Sequence, residues 1–266
     1  MFRYFIELAY KGTHFFGWQL QPNVPTVQGD VERALEMVLR EPVRLTGAGR
    51  TDTGVHAIHF MAHFNASREN LHVDTSLIGK LNGILTREIA IHRIISVPPD
   101  AHARFDAITR TYHYKIANKK NPFRNDLAYH LYRPLDLEKM NEAAAILPEY
   151  KDFTSFSKLH GNAKTNICNL ISAIWIDDRK GELRFEITAN RFLRNMVRSI
   201  VGTMIDIGLE KYPPEELRNI IMKKDRAIAG MSVPPQGLYL AKIEYPQEII
   251  KYQYLQNEQL EQHPTL

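Results

Sequence analysis

The 266-residue sequence predicts an α+β fold built from two similar halves, and three observations predict it. Short segments with apolar residues at every second position recur along the chain, as half-buried strands require. Amphipathic segments of helical period lie between them. On either side of Pro98-Pro99-Asp100 the elements run in the same order: strand, helix, strand, strand, helix, strand. No letter-by-letter repeat accompanies that shared order.

In the first half, Tyr4, Ile6, Leu8 and Tyr10 alternate on a strand ended by Lys11-Gly12-Thr13. Val27, Val31, Ala34, Leu35, Val38 and Leu39 predict a helix from about Thr26 to Arg40, closed by Pro42. A strand is expected at Val43-Arg44-Leu45. Another follows, with Ile58, Phe60, Ala62 and Phe64 on one face and His59, Met61 and His63 on the other. A helix near Asp74 to Leu85 and a strand near Ile89 to Ile95 complete this half. Tandem prolines cannot continue a ladder, so Pro98-Pro99-Asp100 marks an internal boundary. Beyond it, Ile108, Arg110, Tyr112, Tyr114 and Ile116 share a strand face, and Leu137, Met140, Ala144 and Leu147 share a helix face. Strands are expected at Asn169 to Ile176 and Leu183 to Ala189, and a helix from Arg191 to Ile207. The halves are placed at residues 1–104 and 105–245, with a polar tail at 246–266.

A hydrophobic share of 44% with 24% charged residues excludes general disorder, and 34 Lys+Arg against 30 Asp+Glu give a mild net charge of +4. No apolar run approaches the roughly 18 residues of a membrane span, and Met1-Phe2-Arg3-Tyr4 shows no signal-peptide core, so a cytoplasmic protein is expected. The single cysteine, Cys168, excludes an internal disulfide or a Cys-based metal cluster and reads as a small buried hydrophobe.

The most unusual local composition is Gly47-Ala48-Gly49-Arg50-Thr51-Asp52-Thr53-Gly54, where glycines bracket one arginine and one aspartate. Such a loop can present Arg50 and Asp52 to a closely approaching ligand. The plainer alternative is a strand-connecting turn with Asp52 as a local cap. It is no P-loop, because the Gly-Lys-Ser/Thr ending is missing and a strand follows. His56, His59 and His63 invite a zinc reading, but on a strand His59 and His63 lie roughly 13 Å apart, too far to share an ion. Asp52 has no acidic neighbour in its loop, which gives little support to a two-carboxylate glycosidase. Arg191, Arg194, Asn195, Arg198 and Gly202 fall on one side of the last long helix, either as a phosphate or carboxylate clamp or as its solvated face. Tyr112 and Tyr114 either stack on bases or pack in a core.

Gly49-Arg50-Thr51-Asp52-Thr53-Gly54-Val55-His56-Ala57 resembles the signature of the tRNA pseudouridine synthase A family. Tyr10-Lys11-Gly12, Phe16-Gly17-Trp18-Gln19 and Thr26-Val27-Gln28-Gly29 are similar to that family's opening, and His102-Ala103-Arg104-Phe105-Asp106-Ala107 and Arg110-Thr111-Tyr112-His113-Tyr114 to its middle. Asp152-Phe153-Thr154-Ser155-Phe156, Asn195-Met196-Val197-Arg198-Ser199-Ile200-Val201-Gly202 and Gly237-Leu238-Tyr239-Leu240 follow in the same order. One departure is the segment from Ser157 to Ile167, which lacks an arginine often found there.

The resemblance implies a pseudouridine-synthase fold of two ferredoxin-like halves sharing a central, mostly antiparallel sheet, with the active cleft between them. It implies conversion of uridine to pseudouridine at positions 38, 39 and 40 of the tRNA anticodon arm, without a cofactor or metal. Asp52 would be the essential acid, as nucleophile or as base; Arg198 would pair with it, and Tyr112 would stack on the uracil and help remove its C5 proton. Arg50 would enter the space left by the flipped base, and Leu238 would wall the pocket. Tyr10, His56 and Arg104 complete the expected substrate contacts, with Lys119, Lys120, Arg124, Arg191 and Arg194 as further phosphate contacts. A homodimer is implied, which doubles the modest charge facing the anticodon stem-loop. A tRNA-binding folding chaperone without chemistry is the alternative from another class, and it has no use for Asp52.

Overall fold

The computed structural model describes residues 1–158, 165–178 and 181–252, and the chain divides into two units. Met1–Ile108 together with the segment starting at Lys242 forms the first, and Thr109–Ala241 the second. The division therefore falls after Ile108, beyond the double proline and the expected 104/105 boundary, and the chain returns to the first unit at Lys242. The Ile108 N–H donates to the Glu244 carbonyl at 2.8 Å, which ties the end of the first segment to the returning one. Of the expected tail, Gln247–Ile250 forms a short helix, and residues 253–266 lie outside the described residues.

The first unit contains β1 (Phe2–Tyr10), α1 (Val27–Leu39), β2 (Thr46–Gly47), β3 (His56–Ala66), α2 (Thr75–Ile84) and β4 (Ile89–Ser96). β1 lies between β3 and β4, antiparallel to both, and β2 adds to β3. Tyr4, Ile6, Leu8 and Tyr10 are buried as the alternation requires, and Phe5 is buried as well. α1 starts where the Thr26 hydroxyl accepts the Gly29 N–H at 3.3 Å, a cap worth about 1 kcal/mol. It ends at Arg40 in the left-handed conformation, two residues before Pro42. Its buried face carries Val27, Val31, Ala34 and Leu35, and each of the larger side chains contributes about 1.5–3 kcal/mol by leaving water.

Two expectations fail here for physical reasons. Val43-Arg44-Leu45 forms no strand, because the backbone N–H groups that would enter a ladder are taken by helix carboxylates: Leu45 donates to Glu32 at 2.8 Å and Val43 to Glu36 at 3.3 Å. Ile58 is exposed although its alternation partners are buried. The register passes from Leu8 opposite Phe60 to Tyr10 opposite Ala57, so Ile58 and His59 face a single residue of β1. This bulge turns Ile58 outward.

The second unit contains β5 (Thr109–Ala117), β6 (Tyr129–His130), α3 (Leu137–Ile146), β7 (Leu170–Asp177), β8 (Glu182–Ala189), α4 (Met196–Gly208) and α5 (Glu216–Lys223). β9 (Leu238–Glu244) begins in it and passes into the first unit at Lys242. β8 lies between β5 and β7, antiparallel to both, while β6 pairs with β5 in parallel. Leu183, Phe185, Ile187 and Ala189 are buried at every second position of β8. The architecture is thus mixed α and β with mostly antiparallel strand pairing. No helix among the described residues is long and apolar enough to cross a membrane.

α4 begins five residues later than its apolar periodicity suggests, since Asn195 stands at its N-cap in the left-handed conformation with φ of 68°. Arg191 and Arg194 therefore precede the helix, Gly202 is buried, and the expected arginine face reduces to Arg198. Cys168 is fully buried, which pushes its thiol up to about 11 and leaves no thiolate near neutral pH.

Candidate functional site

In the first unit the glycine-rich segment leaves β2 and returns to β3 as a loop held from below. Ala48 donates its N–H to the Met61 carbonyl at 2.8 Å, and Val55 donates to the Asp52 carbonyl at 3.1 Å. The segment Phe15-Phe16-Gly17-Trp18 docks beneath it: the Trp18 N–H reaches the Thr51 carbonyl at 3.3 Å, and Gly54 donates to the Phe15 carbonyl at 3.4 Å. Gly17 makes the approach possible. Its φ is +90°, and a Cβ there would collide with the Thr51 carbonyl oxygen. The Trp18 ring stacks on Phe60 with centroids 4.0 Å apart, and the Tyr10 ring lies 5.6 Å from Phe60.

On this support Arg50 is exposed and Asp52 half-buried. Tyr10 and His56, expected as substrate contacts, are only 4% and 1% exposed. The Tyr10 and Thr51 hydroxyls share a hydrogen bond of 2.8 Å, and His56 Nδ1 accepts the Gly12 N–H at 3.0 Å. Both residues lie below the loop surface and support it from there. The neighbouring histidines do the same work elsewhere. His59 Nδ1 accepts the Ile243 N–H at 2.9 Å, and His63 Nδ1 accepts the Ala103 N–H at 3.0 Å. Burial lowers the pKa of His59, with Glu7 opposing, and together with His102 and Arg3 it holds His63 down at about 4. Among the described residues no group of three or more His, Cys, Asp or Glu side chains is arranged to hold a metal ion. Arg104 is exposed on the loop that His63 anchors.

The second unit carries Tyr112, Arg198 and Leu238. Tyr112 is half-buried on β5 and meets the Phe192 ring edge-on at 5.1 Å. Its neighbour on the same face, Tyr114, is fully buried and donates its hydroxyl to the Pro234 carbonyl at 2.8 Å, so it belongs to the core, and burial raises its pKa strongly. Arg198 is half-buried near the start of α4, where its Nε donates to the Val233 carbonyl at 2.7 Å and its own carbonyl accepts the Val233 N–H at 3.2 Å. That fixes the guanidinium against the strap of residues 230–233. The strap lies close to α4 because Gly202 has no Cβ to strike the Met231 carbonyl oxygen, and Gly230 donates to the Thr203 hydroxyl at 2.9 Å. Asn195 reaches the Ser232 hydroxyl at 2.5 Å. Leu238 is buried at the start of β9.

Of the further basic residues, Arg124 pairs with Glu182, and Arg191 donates to the Thr165 carbonyl at 3.1 Å, whereas Lys119, Lys120 and Arg194 are exposed. The segment lacking the expected arginine includes residues 159–164, which lie outside the described residues. Sequence reasoning missed the strap, whose partners lie about one helix turn apart on α4, and it missed Gly17 and Trp18 as the loop's support. Phe16-Gly17-Trp18 followed by a helix cap was the available signal.

Comparison with known proteins adds an independent finding. Residues 8–106 and 150–246 match the family described as tRNA pseudouridine synthase. A tRNA pseudouridine synthase A of Porphyromonas gingivalis is 50% identical over 250 residues, covering 94% of this chain and 99% of the relative. One from Azobacteroides pseudotrichonymphae is 52% identical over 251 residues, covering 94% and 100%. A more distant one, from Thermoanaerobacter pseudethanolicus, is 39% identical over 243 residues, covering 90% and 98%.

Proposed function

Because the chain belongs to the tRNA pseudouridine synthase family, we propose that it converts uridine to pseudouridine at positions 38, 39 and 40 in the anticodon arm of tRNA, with Asp52 as its essential acid. It is an isomerase of uridine in tRNA. The bond from N1 of the base to C1′ of the ribose breaks, the base turns while held, C5 joins the same C1′, and the C5 proton leaves as N1 gains one. Nothing is oxidised or reduced. The observation that carries the reading is the position of Asp52, half-buried in a loop fixed from below within the matched residues, with the exposed Arg50 two residues before it.

In this reading the fold consists of two ferredoxin-like halves with the active cleft between them. Asp52 comes from one half; Tyr112, Arg198 and the apolar wall at Leu238 come from the other. Arg198, already directed by Val233, pairs with the carboxylate and aims it. Asp52 then acts as a nucleophile on the base or the sugar, or as a base that removes a ribose proton. The Tyr112 ring stacks on the uracil, and its hydroxyl assists departure of the C5 proton. Arg50 fills the stack vacated when the uridine flips out, a step that costs a few kcal/mol. Tyr10 and His56 position the loop, and Arg104 contacts phosphate. The protein works in the cytoplasm as a homodimer, whose two chains each bring a charge of +4 to the polyanion.

The test is tritium release from C5-labelled uridine in tRNA, with pseudouridine mapped in the product. Asp52→Asn keeps the shape of the side chain and removes its capacity as base or nucleophile. Turnover should fall at least about 100-fold, while tRNA affinity holds or rises with the loss of a negative charge. A folded Asp52→Asn variant that still turns over would overturn the assignment of Asp52. Product found only outside the anticodon arm would overturn the assignment of position.

A further inference from the structure

We propose that Phe105, backed by His102, is a stacking platform for a nucleobase of the bound tRNA; this rests on the reading above that the chain acts on tRNA. Phe105 is 75% exposed, and a single exposed apolar residue is ordinary by itself. What sets this one apart is how firmly its loop is held. His102 Nδ1 accepts the backbone N–H groups of both Arg104 and Phe105, at 3.1 and 3.3 Å. The His102 N–H donates to the Asp106 carboxylate at 2.7 Å, and Asp106 returns its N–H to the His102 carbonyl at 3.1 Å. Ala103 is fixed twice, its N–H by His63 at 3.0 Å and its carbonyl by the Tyr245 hydroxyl at 2.5 Å. Arg3 holds the Ala101 carbonyl at 3.0 Å.

The rings continue this order outward. His63 is buried, His102 meets it edge-on at 4.6 Å, and Phe105 lies against His102 at 4.3 Å with the planes 33° apart. The outermost ring is therefore preorganised, so a partner that stacks on it loses little to ordering. The Arg104 guanidinium carbon lies 5.8 Å from the Phe105 centroid. An aromatic surface beside a cation matches a ligand with both a π-face and a nearby negative charge, which single-stranded or looped RNA supplies. The platform is also tied to the catalytic loop, because His63, which anchors Ala103, is paired in register with Thr46 where the Asp52 loop begins.

The experiment compares Phe105→Ala and Phe105→Trp with the parent in tRNA filter binding across a range of salt. Phe105→Ala should weaken binding roughly 5- to 150-fold, the loss expected for one base–aromatic stack. The log–log salt slope should stay unchanged because no charge is removed, whereas Arg104→Ala should lower the slope. Phe105→Trp should bind within about 3-fold of the parent, since the indole stacks equally well. Its emission should be quenched by tRNA and not by polyphosphate, which lacks bases. The two native tryptophans, Trp18 and Trp175, are buried, so the added one reports separately. The proposal is overturned if Phe105→Ala binds tRNA like the parent, or if polyphosphate quenches as tRNA does. It is equally overturned if Phe105→Ala shifts the monomer–dimer equilibrium in sedimentation while tRNA affinity stays put, which would make the ring a contact between copies. Tritium release by the parent separates the two readings: absent release with quenching intact removes the synthase assignment and leaves the platform standing.

Discussion

Acidification from pH 7 to pH 4 should weaken the fold by about 3 kcal/mol through His63 alone, because its pKa stands at about 4 against 6.5 for a free imidazole. The side chain is only 7% exposed, and its Nδ1 accepts the Ala103 N–H, which a protonated ring cannot do. Burial is the main cause of the depression, His102 and Arg3 add to it, and Asp106 opposes it. In the unfolded chain the imidazole takes up its proton as the pH falls through 6.5; in the folded chain it resists until about 4. The unfolded state thus binds more protons throughout that window. The stabilisation is complete above 6.5, declines between 6.5 and 4, and is gone below.

The assay is urea unfolding at several pH values from 7 to 4 for the parent and for His63→Gln, whose amide oxygen can accept the same N–H without titrating. Burial also depresses His59, His72, His102 and His113, but these remain in both proteins, so the difference between the two curves isolates His63. The parent should lose about 3 kcal/mol more than the variant by pH 4. Parallel curves would refute the argument, as would a His63 ring resonance that titrates near 6.5.

Two further outcomes follow from the loop and from β5. Gly17→Ala places a Cβ against the Thr51 carbonyl at a φ of +90°, so it should cost about 1–3 kcal/mol in denaturant unfolding and lower turnover by shifting the residue next to Asp52; parental stability and rate would refute the packing role. Tyr112→Phe keeps the ring and its edge contact with Phe192, so tRNA affinity should stay within about 2-fold while tritium release slows by roughly 100-fold or more, and an unchanged rate would leave the hydroxyl without a catalytic part.

Elements with a strong period were legible in the sequence, and those decided by a side chain reaching across the fold were not. α1 could be read to within a residue because Thr26 caps it and Val27, Val31, Ala34 and Leu35 repeat at helical spacing. Val43 and Leu45 alternate like a strand, yet Glu32 and Glu36 take their N–H groups, and nothing local to residues 43–45 announces that. The start of α4 was hidden because Phe192 and Leu193 continue its apolar period across Asn195, whose positive φ keeps the helix from extending back to them. At the site, Gly49-Arg50-Thr51-Asp52 stood out by composition, but a Cβ at Gly49 would meet open space. The close approach that fixes the loop is made by Gly17, whose partner Thr51 is distant in sequence. The strap over Arg198 is equally remote from it, and so was invisible to any reading of the helix alone.

The three histidines of β3 show how one strand can fix several segments at once. His56, His59 and His63 each present Nδ1 to a backbone N–H, and the donors, Gly12, Ile243 and Ala103, come from three separate stretches of chain. A backbone N–H can only donate, so each ring must be neutral with its proton on Nε2. A lysine or arginine at these positions would offer no acceptor, and an apolar residue would leave a buried N–H unpaired at a cost of about 1–3 kcal/mol. The imidazole supplies an acceptor on a flat ring that also packs, as His63 does against Phe5 at 6.3 Å. The same strand that begins four residues after Asp52 thereby holds the Gly12 turn under the Asp52 loop, the returning strand at Ile243, and the loop of Arg104 and Phe105. A histidine cluster suggestive of metal binding is better understood as three separate clasps, and its chemistry is the fixing of backbone in three stretches of chain.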